Sequence, residues 1–306
     1  MWTRRHLLGL EDLGRDDLLA ILDLARTFQK DGKLLVDKRD TLKGKTVLLL
    51  FFEASTRTAM SFSAAAKRLS ADVVSFSKGT SSTTKGETLV DTARNIEAMG
   101  AIDIVVIRHS ATGAAHLLAR SIDASVVNAG DGSHEHPTQG LLDIFTMRER
   151  FGRVEGLKVA IVGDVAHSRV ARSNVFGLKT LGAEVTVCGP ATLVSDAMRT
   201  LGVAVSCDFD AILPEMDVVN MLRIQKERLA GPLLPSDREY TMLFGLTRER
   251  AARMKKGALI MHPGPTNRGV EIAASVADGM QSVILEQVAN GVAVRQAVLT
   301  LVSSSM

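Results

Sequence analysis

A group of hydroxyl side chains and an arginine directly follows an apolar run early in the chain. The run, 47–52, has the length and composition of a buried strand, and a helical pattern begins near Ala59. The polar residues between them are Ser55, Thr56, Arg57 and Thr58. Free N–H groups and the helix dipole favour anions at such a junction, and a guanidinium fork suits phosphate or carboxylate. The segment therefore predicts an anion site, with a helix N-cap at Ser55 or Thr56 as the alternative. The Walker and dinucleotide glycine patterns are absent.

A second polar cluster follows a predicted strand and a glycine-rich turn. His136 precedes Pro137 at a predicted helix start, and Gln139 lies three residues further on. Imidazole and amide groups at this spacing can face one small polar ligand, although a turn with capping residues is the alternative. His134 and Glu135 raise the possibility of a metal site. No further ligand cluster supports it, so no metal is predicted.

Arginines stand just beyond the ends of other apolar strands. They are Arg108, Arg169 and Arg223. Each one alone is typical of a protein surface, but strand ends in a parallel sheet converge on one crevice. Such a crevice suits a substrate pair with several negative charges, for example a phosphate and two carboxylates. The loop 78–88 carries Lys85 and, by itself, is typical of a solvated loop. With no nucleophile motif in the sequence, the site is predicted to orient anions and stabilise charge.

Composition limits the class of protein. The chain has 306 residues, a net charge of +3 and 4% aromatic residues, which argues against a nucleic-acid surface. It shows no apolar run of membrane-spanning length and no signal-peptide pattern, so no membrane association and a cytoplasmic location are expected. Cys188 and Cys207 form no CxxC pair, and both are expected to be small buried residues.

Predicted strands and helices alternate along the whole chain, which is typical of an α/β protein. The predicted architecture is two doubly wound parallel-sheet domains, with a C-terminal helix that packs back on the first domain. The expected limits are 1–150 for an anion-binding domain, 151–285 for a second domain and 286–306 for the returning helix. A turn near 152–156 marks the first boundary.

Several motifs together resemble the aspartate/ornithine carbamoyltransferase family. The segments 55–58 and 136–139 resemble motifs common to the family, and 223–228 and 262–265 resemble its aspartate branch. The S-M-G and H-C-L-P segments of the ornithine branch do not occur. Gly264 departs from the leucine that some members carry. The resemblance implies transfer of the carbamoyl group of carbamoyl phosphate to the α-amine of L-aspartate, in pyrimidine biosynthesis, without a cofactor.

The resemblance also implies roles for individual residues. The carbamoyl phosphate site would contain Ser55, Thr56, Arg57, Thr58, Arg108, His136, Gln139, Gly264 and Pro265. Within this set, Thr58, Arg108 and His136 would be catalytic and contact the carbonyl oxygen. The aspartate site would contain Lys85, Arg169, Arg223 and Gln225. Ser81 and Lys85 would come from the neighbouring subunit of a homotrimer with shared active sites.

Other functions remain open at this point. A carbamoyltransferase for another amine, such as ornithine, would share the phosphate site. A non-catalytic scaffold homologue is a different class, but it is expected to lack Arg57, Lys85 or His136, and all are present. No motif indicates whether a regulatory chain or a dihydroorotase chain joins the trimers.

Overall fold

The computed structural model describes residues 2–77, 87–100, 102–224 and 236–304. Ser81, Lys85 and Gln225, which the sequence analysis placed in the site, lie outside these ranges. The chain forms two compact units. The first unit comprises Met1–Leu141 and Ala289–Met306, and the second comprises Leu142–Val288. The domain limits expected from the sequence, at 150 and 285, stay a prediction.

A parallel sheet of four strands forms the centre of the first unit. Its strands are β3 (Thr46–Phe51), β4 (Asp72–Ser77), β5 (Ile104–His109) and β6 (Ser125–Asp131), in the order β4-β3-β5-β6. The other elements are the short pair β1 (Gln29–Lys30) and β2 (Lys33–Leu34) and the helices α1 (Arg15–Arg26), α2 (Thr56–Arg68), α3 (Leu89–Met99) and α4 (Ala114–Ala119). The chain runs from β3 out to β4 and then returns to β5 on the other side. The strand order therefore reverses between β3 and β5.

The second unit repeats this plan with five parallel strands. They are β7 (Lys158–Val162), β8 (Glu184–Cys188), β9 (Ala204–Ser206), β10 (Val218–Met221) and β11 (Leu259–Met261), in the order β11-β10-β7-β8-β9. Its helices are α6 (Arg169–Thr180), α7 (Phe209–Ile212), α8 (Asp237–Phe244), α9 (Arg248–Ala251) and α10 (Ala274–Ala277). Two further helices, α5 (Pro137–Phe151) and α11 (Ile284–Ser304), begin in one unit and end in the other. Here the strand order reverses between β7 and β10.

The apolar runs form buried central strands, because helices cover both faces of a parallel sheet. In the first unit, Leu48, Val105 and Val126 pack against residues of α3 and α4. In the second unit, Val162, Val219 and Phe209 belong to one buried cluster. The apolar composition that predicted the strands thus also explains their burial, and it leaves the strand ends as the places where polar residues can gather.

The C-terminal helix α11 returns to the first unit, as the sequence predicted. Lys45 Nζ donates to the carbonyl of Ser303 at 3.1 Å, and Ser125 Oγ donates to the carbonyl of Val302 at 3.2 Å. The guanidinium of Arg295 lies 5.0 Å from the centre of the Phe62 ring. These contacts confirm the predicted fold class of two doubly wound α/β domains with a returning helix.

One expectation from the sequence needs correction. Cys188 is buried, and burial raises the pKa of its thiol to about 12, but Cys207 is exposed rather than buried. It follows the edge strand β9, which the sequence analysis did not predict, since this strand has only three residues.

Among the described residues, none of the helices combines the length and the hydropathy needed to cross a membrane.

Candidate active site

The hydroxyl cluster lies in the first turn of α2. The helix begins at Thr56, three residues before the predicted start, and Ser55 is its extended N-cap residue. The Ser55 hydroxyl accepts no hydrogen bond from the helix backbone. It donates instead to the Thr58 hydroxyl, with an Oγ–Oγ1 distance of 2.9 Å. The capping interpretation is therefore wrong for Ser55, and the first turn, which contains no acidic residue, keeps the positive end of its dipole toward any anion.

Arg108 is held at the carboxyl end of β5 by groups from both neighbouring strands. Its Nη2 donates to Glu53 Oε1 at 2.7 Å, and its Nη1 donates to the carbonyl of Ala129 at 3.1 Å. Phe51 pairs with Arg108 in the sheet register, so Glu53 follows the strand next to it. These contacts fix the guanidinium in one orientation at the carboxyl end of β5.

His136 and Gln139 lie at the start of α5, after β6. Both side chains are buried, and the His136 carbonyl accepts the N–H groups of Gln139 and Gly140 at 2.9 and 3.1 Å. Pro137 begins the helix, where its missing N–H has no cost. The helix therefore places the imidazole and the amide near its first turn.

The loop before His136 is organised by two buried carboxylates. Asp131 accepts N–H bonds from Gly113 at 2.7 Å and from the Asn128 amide at 2.8 Å, and His134 Nδ1 lies 3.2 Å from it. Glu135 accepts the Leu10 N–H on both oxygens, at 2.9 and 2.8 Å. These two carboxylates hold the loop in place.

Two groups of side chains, each with members in this loop and one member from elsewhere in the chain, have the composition of metal-ligand sets. They are His116, Asp131 and His134, and Glu11, His134 and Glu135. In both, the buried carboxylate already accepts backbone or amide N–H groups. The structure therefore explains these carboxylates as loop anchors, and the expectation of no metal stays a prediction.

The first sheet brings its site residues to one edge. The segment 55–58 follows β3, Arg108 lies near the end of β5, and His136 comes shortly after β6. These three strands are neighbours, and the reversal of strand order lies between β3 and β5. In open α/β sheets a ligand binds in the crevice at this reversal. The geometry of the first unit thus fits an anion site at the predicted residues.

The second unit repeats this arrangement. Arg169 is the first residue of α6, after β7, and its side chain is buried. Arg223 follows β10, whose Met221 pairs with Val162 of β7. The two arginines therefore leave the strands that flank the second reversal. Ser168 caps the start of α6, because its Oγ accepts the Ala171 N–H at 3.1 Å.

The turn with Gly264 and Pro265 follows β11, next to β10 in the same sheet. Gly264 has φ of +66°, a conformation that favours glycine over leucine. The buried His262 accepts the Gly264 N–H on Nδ1 at 2.8 Å, and its Nε2 lies 3.1 Å from Glu271 Oε1. An accepting Nδ1 requires the proton on Nε2, so His262 donates to Glu271. His262 and Glu271 thereby fix the turn.

Sequence reasoning did not identify Glu53 as the partner of Arg108 or Glu271 as the partner of His262. Glu53 lies two residues before the polar cluster, a position that indicates a role in the site. Glu271 lies in a stretch without a motif, and only the fold brings it to His262.

Comparison with known proteins gives the class to which this fold and these sites belong. The profile "Aspartate/ornithine carbamoyltransferase, carbamoyl-P binding domain" matches residues 5–149. The profile "Aspartate/ornithine carbamoyltransferase, Asp/Orn binding domain" matches residues 155–302. The chain belongs to the aspartate/ornithine carbamoyltransferase family, and the resemblance seen in the sequence is confirmed.

Individual relatives cover nearly the whole chain. The chain is 58% identical to an aspartate carbamoyltransferase catalytic subunit of Frankia casuarinae, over 98% of this chain and 94% of that protein. It is 59% identical to the subunit of the same name from Thermobifida fusca, over 97% and 95%. A crystal structure of aspartate transcarbamoylase from Trypanosoma cruzi, in complex with carbamoyl phosphate and aspartate, has a TM-score of 0.86 at 29% identity and covers 96% of this chain and 95% of its own.

Proposed function

We propose that this chain transfers the carbamoyl group of carbamoyl phosphate to the α-amine of L-aspartate, giving N-carbamoyl-L-aspartate and phosphate, in de novo pyrimidine biosynthesis. One observation carries the proposal: each sheet places two arginines at the reversal of its strand order. Arg57 and Arg108 stand at the first reversal, and Arg169 and Arg223 at the second. The relatives named aspartate carbamoyltransferase support the same activity.

The first unit supplies the phosphate site. The first turn of α2 offers backbone N–H groups and the positive end of its dipole, and Arg57 adds a full charge. The hydroxyls of Thr56 and Thr58 add short donors without charge, and Ser55, which donates to the Thr58 oxygen, leaves the Thr58 proton free to face the ligand. Together these groups hold the phosphate so that the carbonyl carbon faces the incoming amine.

The carbonyl oxygen gains negative charge when the neutral α-amine attacks the carbonyl carbon. Arg108, His136 and Thr58 are proposed to donate to this oxygen, and donors fixed before the reaction stabilise such charge most strongly. Arg108 is fixed by Glu53 and by the Ala129 carbonyl. The C–O bond to phosphate then breaks, and the departing phosphate accepts the proton of the amine. No covalent intermediate with the protein is required.

The carbamoyl NH2 group needs acceptors. Gln139 is proposed to accept from this group through its amide oxygen, and the family resemblance adds backbone carbonyls near Gly264 and Pro265 as further proposed acceptors. The two carboxylates of aspartate are proposed to bind Arg169, Arg223 and Gln225, since planar guanidinium groups bind carboxylates with two parallel hydrogen bonds. Ornithine carries an ammonium group where aspartate carries its second carboxylate, so it would meet like charges here.

The activity is tested by incubating the purified chain with carbamoyl phosphate and L-aspartate. Equal amounts of N-carbamoyl-L-aspartate and phosphate are expected. Arg57→Ala is expected to lower the rate by at least ~100-fold, because it removes the charged donor to phosphate. Phosphate release without carbamoylation would mean that the chain is not a transferase for this amine.

The active form is proposed to be a homotrimer in which Ser81 and Lys85 act in the site of the neighbouring subunit. The test mixes two variants, Lys85→Ala and His136→Ala, each inactive alone. Reassembled mixtures are expected to recover activity, because some sites then combine an intact His136 with an intact neighbouring Lys85. A mixture as inactive as its parts would contradict shared sites.

A second candidate function is carbamoyl transfer to ornithine. The ornithine carbamoyltransferase of Pyrococcus furiosus has a similar fold, with a TM-score of 0.85 at 27% identity. The arginine pair Arg169 and Arg223 favours a dicarboxylate over ornithine. A regulatory or dihydroorotase chain as a further partner and a cytoplasmic location stay predictions.

A further inference from the structure

Asp143 is a fully buried carboxylate in the second unit, in the second turn of α5, and the proposed chemistry does not use it. Both of its oxygens accept hydrogen bonds from side-chain amides. Oδ2 accepts Asn174 Nδ2 at 2.8 Å and Asn220 Nδ2 at 3.4 Å, and Oδ1 accepts Gln287 Nε2 at 2.7 Å. Burial of a carboxylate is costly unless such donors compensate it. A core position that only needed to be filled would be apolar.

The donors to Asp143 come from the elements that carry the proposed substrate contacts. Asn174 lies on α6, five residues after Arg169. Asn220 lies on β10, three residues before Arg223. One carboxylate therefore ties together the two segments that present the arginines on either side of the strand reversal.

The third donor extends the connection to the turn after β11. The Gln287 side chain donates to Asp143 and, through Oε1, accepts the N–H of His262 at 3.0 Å. His262 in turn accepts the Gly264 N–H at 2.8 Å. The path from Asp143 to the turn thus runs through the buried side chains of Gln287 and His262 to the partly buried N–H of Gly264, and it holds both the backbone N–H and the imidazole of His262.

We propose that Asp143 is a positioning residue for substrate recognition: it sets the spacing of Arg169, Arg223 and the 262–265 turn by binding Asn174, Asn220 and Gln287. This inference rests on the proposed function. It assigns to one buried carboxylate a share in the alignment of three segments that follow or face neighbouring strands of the second sheet. Asp143 does not touch substrate, so its effect reaches the reaction only through the arginines and the turn.

Loss of Asp143 should have a different effect on the kinetics from loss of a buried residue that only stabilises the fold. A looser spacing of two guanidinium groups weakens the binding of a dicarboxylate, which must meet both. The contacts proposed for the phosphate group lie in the first unit and do not depend on Asp143. Of the contacts proposed for carbamoyl phosphate, only those of the 262–265 turn to the NH2 group depend on it. Loss of Asp143 should therefore affect the KM for aspartate far more than the KM for carbamoyl phosphate.

The experiment compares Asp143→Asn with wild type and with Val175→Ala, a buried apolar truncation on α6 that leaves the network intact. In Asp143→Asn, the new side-chain amide would direct an N–H at the amide of Asn174 or of Gln287, which opens that contact. Wild-type formation of N-carbamoyl-L-aspartate is measured first, so that failure of the proposed function is seen separately. KM for each substrate and the melting temperature are then measured for all three proteins.

Asp143→Asn is expected to raise the KM for aspartate by about tenfold or more. The KM for carbamoyl phosphate is expected to change by less than about threefold, because only the turn's contacts to the NH2 group are loosened while the first-unit contacts remain. Val175→Ala is expected to lower the melting temperature and leave both KM values unchanged. The double variant Asp143→Asn with Asn174→Asp exchanges donor and acceptor between these two residues. It restores this one hydrogen bond and is expected to have a lower KM for aspartate than Asp143→Asn alone. A KM for aspartate in Asp143→Asn no higher than in Val175→Ala would overturn the proposal. If the single variant does not fold, Asn174→Ala replaces it with the same expected split, and equal changes in both KM values would overturn it.

Discussion

Glu53 Oε1 lies 2.7 Å from Nη2 of Arg108, and this ion pair joins the carboxyl ends of two neighbouring strands. The Ala129 carbonyl accepts a hydrogen bond from Nη1 of the same arginine, so both terminal nitrogens of the guanidinium are held. A donor fixed in this way needs little reorganisation when charge develops on a carbonyl oxygen. The pair thus explains why a carboxylate stands next to a site built for anions.

Removal of this carboxylate should loosen Arg108. Glu53→Ala is expected to lower kcat/KM for carbamoyl phosphate by about tenfold or more, because the guanidinium loses its fixed orientation. Glu53→Gln keeps an acceptor oxygen, so it is expected to lower this kcat/KM by a smaller factor. Steady-state kinetics of both variants test the relationship, and equal values in wild type and Glu53→Ala would contradict it.

His136 is expected to act on the transition state. His136→Ala should lower kcat by about 100- to 1,000-fold, with a much smaller change in the KM for aspartate, because the imidazole donates to the oxygen that gains charge. His134→Ala is the matched control, since His134 is two residues away and contacts Asp131. Its kcat should stay close to that of wild type. An unchanged kcat in His136→Ala would remove this residue from the mechanism.

Arg250 is expected to stabilise the second unit. Its buried guanidinium donates to Asp210 and to the carbonyls of Gly245 and Met242, with distances of 2.7 to 3.0 Å. Arg250→Ala removes these buried hydrogen bonds together with the charge beside Asp210, and it should lower the free energy of unfolding by about 2–3 kcal/mol. Arg250→Lys should recover little, because an ammonium group cannot reproduce the planar fork.

Urea unfolding of these variants provides the measurement. Arg199→Ala is the control, because its ion pair with Asp196 is exposed and is expected to contribute less than about 0.5 kcal/mol. If Arg199→Ala and Arg250→Ala lowered the free energy of unfolding equally, this would contradict the view that burial makes the Arg250 contacts more stabilising.

The same contact predicts a pH dependence. Hydrogen bonding from Arg250 holds the pKa of Asp210 below its ordinary value of 3.8. Since the folded-state pKa is the lower one, the carboxylate stabilises the fold at pH values above 3.8, and this contribution is lost as the pH falls through the folded-state pKa. Asp210→Asn should therefore be less stable than wild type near neutral pH, and the difference should shrink in acid. A difference that is constant with pH would contradict this account.

Much of the site could be predicted because its signals are local. The apolar run before residues 55–58 and the proline after His136 fixed the strand end and the helix start within three residues. The strand-end positions of Arg108, Arg169 and Arg223 then followed from the general behaviour of parallel sheets. The family resemblance, confirmed by comparison, added the substrates.

The remaining features depend on contacts between residues far apart in sequence. No pattern around Asp143 indicates that Asn174 and Gln287 will meet it, because only the fold brings α5, α6 and α11 together. The short strand β9 was missed for a different reason, since three residues carry too little periodicity. The Ser55 hydroxyl, which is suited to capping, bonds Thr58 instead.

The most direct test of the central claim is a competition in one tube. The purified chain receives limiting carbamoyl phosphate with equal concentrations of L-aspartate and L-ornithine, and the ratio of the two products gives the ratio of the two kcat/KM values. The account predicts N-carbamoyl-L-aspartate in excess over citrulline by at least ~1,000-fold, because the second carboxylate meets an arginine where ornithine brings a cation. Citrulline as the main product would contradict the assignment of Arg169 and Arg223 to the two carboxylates.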